Sequence, residues 1–283
     1  MDTALAPQIE RFRQAIAGPD ESIDLATAAL TVAAGEYPDL DIGAYRARLD
    51  TMAATLRQRL RTDISAADKV KALNRYLFEE LGFRGNRDDY YDPRNSFLNE
   101  VLERRLGIPL TLSIVYLEIG RRIGLSLAGV AFPGHFLVKC VVREGAAVLD
   151  PYEGGASLGY DELRRRARAL GDGAEPARTV VAGLLAAAGK REMLVRLLRN
   201  LKAIYTQRED WLKTLAMIEQ ILCAVPEVAE EYRDRGLCYE RLECCRAALF
   251  DYRAYLAMRP AAPDADSVRA RLVELQSASA RLN

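Results

Sequence analysis

The sequence predicts an α+β fold: helices wrapped around a small antiparallel sheet over residues 1–156, followed by an all-helical tail. Three observations carry that expectation. Apolar residues recur at helical spacing through the first 82 residues, and again on nearly every side from Leu110 to Ile123. Two stretches on either side of Pro133-Gly134 alternate or run apolar and are rich in β-branched residues. From about residue 191 the chain repeats itself with a 34-residue period. A length of 283 residues accommodates two domains, expected here as 1–175 and 176–283.

Composition narrows the partners. Basic and acidic residues balance at 40 each, so no net charge draws the chain to nucleic acid or to anionic lipid, and neither is expected as a partner. No apolar run reaches the roughly 18 residues that suggest a membrane span. Met1-Asp2-Thr3 shows no basic-then-apolar signal pattern. The five cysteines, Cys140, Cys223, Cys238, Cys244 and Cys245, are odd in number and read as reduced thiols in the cytoplasm. With a single histidine there is no zinc spacing, and no metal or cofactor is expected. The oligomeric state is left open.

Residues 7–17 and 22–34 carry helical stripes (Ile9, Phe12, Ile16; Ile23, Leu25, Ala29, Leu30) separated by Gly18-Pro19-Asp20. A third helix is expected over 43–61. A fourth starts after Ser65, an N-cap with Asp68 three residues on. These helices are expected to wall the first domain. Residues 84–95, dense in charge, Tyr, Asn and Gly, read as a loop, and loops of that length usually have a role. Asn95 or Ser96 is expected to cap the next helix. Alternatively Asp92, Asn95, Ser96 and Asn99 line a binding pocket. Pro109 opens a buried helix that Gly124 ends. Strands are expected over Leu127–Phe132, Phe136–Val142 and Ala146–Leu149. His135 then stands at the start of one strand and Asp150 at the end of the next, where antiparallel pairing brings such ends side by side. A carboxylate on one ring nitrogen orients a histidine and stabilises its charged form.

The stretches Asp92-Pro93-Arg94-Asn95-Ser96-Phe97-Leu98-Asn99, Gly107-Ile108-Pro109-Leu110-Thr111-Leu112-Ser113, Phe132-Pro133-Gly134-His135 and Asp150-Pro151-Tyr152 resemble the transglutaminase-like (papain-like) cysteine-hydrolase superfamily. More closely, the chain resembles the bacterial SirB family, in which such a domain precedes tetratricopeptide repeats. The resemblance implies a nucleophilic Cys at the head of the buried helix, a His on the next strand and an Asp or Asn on the one after. His135 and Asp150 match the last two. At the first position, counting back from Gly124, stands Pro109, which has neither a thiol nor a backbone N–H for an oxyanion. Thr111 and Ser113 lie two and four residues further in, and their side chains are expected to point elsewhere. Cys140, an odd number of strand positions from His135, is expected on the opposite face as a core thiol.

Residues 160–170 read as a basic helix, solvated or facing an anionic partner. Residues 171–176 read as a turn-rich boundary. In the repeats Tyr205 matches Tyr239, Leu222 matches Leu256 and Pro226 matches Pro260; the period is that of tetratricopeptide units, with the helix from about 264 to 281 as a cap. Such arrays form a concave groove for peptides, with Tyr205 and Tyr239 as candidate groove residues, or else they complete a core. Two functions follow as expectations. One is a non-catalytic interaction or regulatory protein with a degenerate site and a protein or peptide partner in the repeat groove. The other is a hydrolase or acyltransferase using the His135–Asp150 pair with water or a non-Cys nucleophile.

Overall fold

The computed structural model describes residues 6–142, 145–170 and 175–281. Its first helices begin where side chains satisfy the free amides of a helix start. After α1 (Ala6–Ala15), Asp24, Asp41 and Ser65 accept hydrogen bonds from the N–H groups of Thr27, Ala44 and Asp68 at 3.0, 3.0 and 3.1 Å. These caps open α2 (Leu25–Ala33), α3 (Ile42–Arg59) and α4 (Ala66–Asn74). The last widens into π turns over Arg75–Glu80.

The stretch expected as a loop holds a short strand. β1 (Arg84–Gly85) pairs in parallel with β2 (Leu106–Gly107), and between them lie a 3-10 turn at Pro93–Asn95 and α5 (Leu98–Arg104). Neither Asn95 nor Ser96 caps α5: its N-cap is Phe97, without a side-chain bond. Helix α6 (Pro109–Arg122) starts at the proline, is buried from Pro109 to Gly120, and is followed by Gly124 at φ 77°. Thr111 secures its head. The Ile108 N–H donates to Thr111 Oγ1 at 3.1 Å, and that hydroxyl donates to the Asn95 carbonyl at 2.7 Å.

Four antiparallel strands follow in the order β3 (Leu127–Val130), β4 (Leu137–Val142), β5 (Gly145–Asp150) and β6 (Ala156–Leu158); the last was not expected. The two faces of the sheet separate as strand alternation requires. Val130, Leu137 and Val148, with Phe132, pack on Leu163 of α7 (Tyr160–Leu170) and Val181 of α8 (Arg178–Leu184). β3 and β4 also pack on α6, and Leu127 approaches Gly120 so closely that a Cβ there would clash.

The chain gathers into two compact units: Ala15–Leu197, and the residues up to Gln14 with Leu198–Asn283. This differs from the expected division at 175/176. The segment after 175 belongs with the sheet: Val181 joins its core, Lys139 Nζ donates to the Leu185 carbonyl at 3.0 Å, and the Ala188 N–H donates to Gly129 O at 2.8 Å. Nor does all of α1 wall the first domain, since Arg13 donates to Cys223 Sγ at 3.7 Å. Residues 171–174 of the expected boundary lie outside the described residues.

The helical unit takes α9 (Lys190–Gln207) from Leu198 onward, with α10 (Trp211–Ala224), α11 (Ala229–Arg241), α12 (Cys245–Met258) and α13 (Ala265–Arg281), while the first turns of α9 belong to the unit of the sheet. Both ends of α10 and α12 are 34 positions apart, the repeat read as geometry. Gly236 is small because a Cβ there would meet the Tyr252 ring at 2.7 Å. Among the described residues no helix is long and apolar enough to cross a membrane.

Candidate functional site

The β4–β5 pairing sets up the central geometry. Val138 pairs with Leu149, which carries Asp150 to the end of β5 beside the turn that ends at His135. Gly134 takes φ 68°, and the His135 N–H donates to Phe132 O at 3.0 Å, so Pro133-Gly134 forms a tight reversal that delivers the imidazole to the start of β4. His135 Nε2 lies 2.8 and 2.9 Å from the two Asp150 carboxylate oxygens. Asp150 is wholly buried, while the His135 side chain keeps 19% of its surface exposed. Among the described residues the other ring nitrogen, Nδ1, has no hydrogen-bond partner. Burial by itself raises the Asp150 carboxyl; the hydrogen bond and charge of His135, with those of Arg166, outweigh it and hold the carboxyl below its ordinary range.

Three supports of this pair come from outside the two strands. Arg166 of α7 reaches in, its Nη1 3.0 Å from Asp150 Oδ2 and its Nε 2.8 Å from Glu162. The Tyr152 N–H donates to Asp150 Oδ1 at 3.2 Å, while its ring stands edge-on to the imidazole at 5.9 Å. That ring fits because residue 85 of β1 is glycine; a Cβ there would run into it. Arg196 of α9 donates to the His135 carbonyl at 2.8 Å and fixes the turn from behind.

Sequence reasoning missed Arg166, Arg196 and Gly85 as parts of this site. Arg166 had a signal, its i,i+4 spacing from Glu162, but that pattern equally describes a solvated helix face. The signal for Arg196 is a charge inside the apolar run Met193-Leu194-Val195-Arg196-Leu197-Leu198, which a solvated helix face explains equally. Tyr152 stands in the Asp150-Pro151-Tyr152 motif, which by itself assigns it no role.

The candidate pocket residues Asp92, Asn95, Ser96 and Asn99 are all buried, and the first two hold together the turn before α5. Asp92 accepts from Arg94 Nε at 2.9 Å and lies 3.3 Å from Arg104 Nη2. Asn95 donates to the Asp89 carbonyl at 2.7 Å and accepts from Asn86 Nδ2 at 3.0 Å. Ser96 Oγ and Asn99 Oδ1 are buried with no hydrogen-bond partner.

For a nucleophile, Thr111 is spent on the helix head. Ser113 was expected to point away from residue 109, but a four-residue step returns to the same face of a helix one turn further in. Its hydroxyl is fully buried and has no hydrogen-bond partner. Cys140 is also fully buried; it pairs with Leu127, whose side chain meets α6, and burial raises its thiol.

In the repeats, Tyr205 is 3% exposed and Tyr239 packs between helices with its hydroxyl 3.3 Å from Glu219. Both are packing residues rather than an open groove wall, because the repeat's aromatic positions fill the helix crossings. The helical unit does hold a cleft of about 480 Å³, lined by Arg233, Asp234, Tyr252, Asp264, Arg271 and Glu274.

Comparison with known proteins agrees with the order of the two regions. A model described as the transglutaminase-like superfamily matches residues 43–199. The chain belongs to that superfamily. A tetratricopeptide-repeat model matches residues 201–273, so the transglutaminase-like region is followed by a repeat region. A UPF0162 protein of Xylella fastidiosa is 43% identical over 262 residues, 91% of this chain and 92% of its own. A UPF0162 protein of Pseudomonas aeruginosa is 30% identical over 254 residues, 90% of this chain and 92% of its own. Human F-box only protein 21 is 45% identical over 80 residues, 28% of this chain and 13% of its own. No solved structure matches.

Proposed function

We propose that this chain is a non-catalytic, cytoplasmic interaction or regulatory protein of the SirB type: its transglutaminase-like site binds without turning over, and its repeats hold a polypeptide partner. The observation that carries the reading is Pro109 at the head of α6, where the superfamily resemblance implies a cysteine. A thiol at a helix N-terminus is activated by the backbone amides around it; proline offers neither the thiol nor its own amide. Tetratricopeptide units generally mediate protein–protein contact, and five free cysteines suit a reducing compartment. The test is turnover. The chain and a His135→Ala variant, matched by circular dichroism, are given a broad panel of esters and amides, with and without an acceptor amine. Equal, background rates are expected; hydrolysis or transfer that disappears in the variant would overturn the reading.

A second reading has its own observation. Asp150 holds Nε2 and leaves Nδ1 unpartnered on a side chain that still reaches solvent. That is the arrangement of a general base acting on water or a substrate hydroxyl, in a hydrolase or acyltransferase. The same panel decides for it if the rate follows the titration of a single histidine.

A further inference from the structure

Three guanidinium groups contact residues of the His135 site (Arg166 at Asp150, Arg87 over the Tyr152 ring, Arg196 at the His135 carbonyl), and two of them are neutralised. Arg166 has Asp150 and Glu162, and Arg87 has Glu153. Arg196 has neither. Its Nη2 donates to the His135 carbonyl at 2.8 Å, both terminal nitrogens lie 3.4 Å from the Phe132 carbonyl, and the group sits 5.5 Å over the Phe136 ring. Among the described residues no carboxylate comes within 4 Å of it, and its Nε–H has no partner. Glu192, one turn back on α9, and the Tyr90 phenol contribute only their fields, and burial holds the guanidinium below its ordinary pKa. A partly buried guanidinium without a counter-charge carries a desolvation cost, and its free N–H is suited to a carboxylate oxygen.

The wall beside it is aromatic. Tyr91 meets Tyr90 edge-on at 5.3 Å, Tyr90 meets Tyr152 at 6.4 Å, and Tyr152 meets His135 at 5.9 Å. Tyr90 and Tyr91 stand 40% and 65% exposed. Tyr90 joins the two halves, touching the Tyr152 ring and lying within the field of Arg196. Rings of this kind offer apolar faces for a backbone or a methylene stem at low cost in side-chain entropy.

We propose that Arg196, Tyr90 and Tyr152 form, around His135, a recognition site for an acidic peptide segment of a partner protein, with one carboxylate oxygen accepting from the free Arg196 Nε–H and the flanking chain against the tyrosine rings. This rests on reading the His135 site as a binding site and names what it takes. Charge complementarity selects the occupant: the site holds one unpaired positive group set among apolar rings.

The sole histidine makes the test direct, because the full-length protein has one imidazole NMR signal and it comes from this site. The probe is a blocked Gly-Glu-Gly tripeptide, with the Gly-Gln-Gly counterpart and inorganic phosphate as separate arms. A saturable shift of the His135 signal is expected with the glutamate peptide, about tenfold weaker with glutamine, the worth of one charge-assisted bond. Arg196→Lys keeps the charge but loses the Nε–H and should weaken binding several-fold. Tyr90→Ala, on an exposed side chain, should weaken it while leaving the fold intact. The proposal is overturned by an absent or unsaturable shift, by equal response to the glutamine peptide, by tighter binding of phosphate, or by full affinity in both variants. None of these outcomes bears on turnover, so the titration and the ester–amide panel fail separately.

Discussion

Arg166 closes the far side of Asp150, its Nη1 3.0 Å from a carboxylate that is wholly buried, so the histidine is oriented by a triad rather than a pair. Removing one partner of such a contact leaves the other charge in low dielectric, which for fully buried pairs costs several kcal/mol. Here Arg166 retains 29% of its side-chain exposure, so water takes over part of its role. Arg166→Met is expected to lower the unfolding free energy by roughly 1–2 kcal/mol. Arg166→Lys should recover only part, since an ammonium cannot bridge Asp150 and Glu162 as a fork. Urea midpoints of the three proteins check this, and identical midpoints would show the contact to be idle.

The acid response of the same carboxylate has a definite sign. Asp150 is pushed up by burial but pulled further down by His135 and Arg166, so its folded pKa lies below its unfolded one. Such a group contributes stability that is complete above the unfolded value, about 3.9 for an aspartate, and is lost as pH falls through the folded value. The stability gap between the natural chain and Asp150→Asn should therefore be widest near neutral pH and close below about pH 4. Urea unfolding at pH 7, 5, 4 and 3 measures it. A gap that does not change with pH would remove electrostatics as its cause.

What the sequence revealed here follows from where the information lies. His135 and Asp150 were legible because antiparallel pairing is local: fifteen residues, two strands and one turn bring them together. The boundaries of α6 were legible because proline and glycine punctuate it. Arg166, Arg196 and Gly85 were not, because each reaches the site through packing between elements distant in the chain. Residues 92–99 show the reverse error. Polar side chains in a loop look like a pocket, yet Asp92 and Asn95 satisfy the backbone and arginines of their own turn. Tyr205 and Tyr239 looked like groove residues by their repeat position, but in the repeat that position is the helix crossing.

Gly85 offers a third test. Its Cα is pressed against the Tyr152 ring, and Tyr152 in turn donates its hydroxyl to the Asn86 carbonyl at 3.2 Å. Gly85→Ala must displace the ring or open the β1–β2 pair, an overpacking that typically costs about 1–3 kcal/mol. Because Tyr152 stands against His135, the substitution should also move the lone imidazole NMR signal. A variant with unchanged stability and an unmoved signal would mean that the ring has room the geometry does not give it.

The last test concerns the repeats, where Arg235 of α11 clamps both oxygens of Asp251 at 2.7 and 2.8 Å and reaches Glu219 at 3.1 Å. Asp251 is 1% exposed, so Arg235→Met leaves a buried carboxylate without its counter-ion and should cost about 3 kcal/mol. The double variant Arg235→Met with Asp251→Leu removes both charges and replaces them with apolar groups of similar size. Such exchanges are often neutral, so the double variant should regain most of the loss. Amide exchange in α11 and α12 of the full-length chain reads the effect locally. If the double variant is as labile as the single one, the arginine stabilises these helices through its aliphatic stem and its 5.3 Å cation–π contact with the Tyr232 ring rather than through its pair with Asp251.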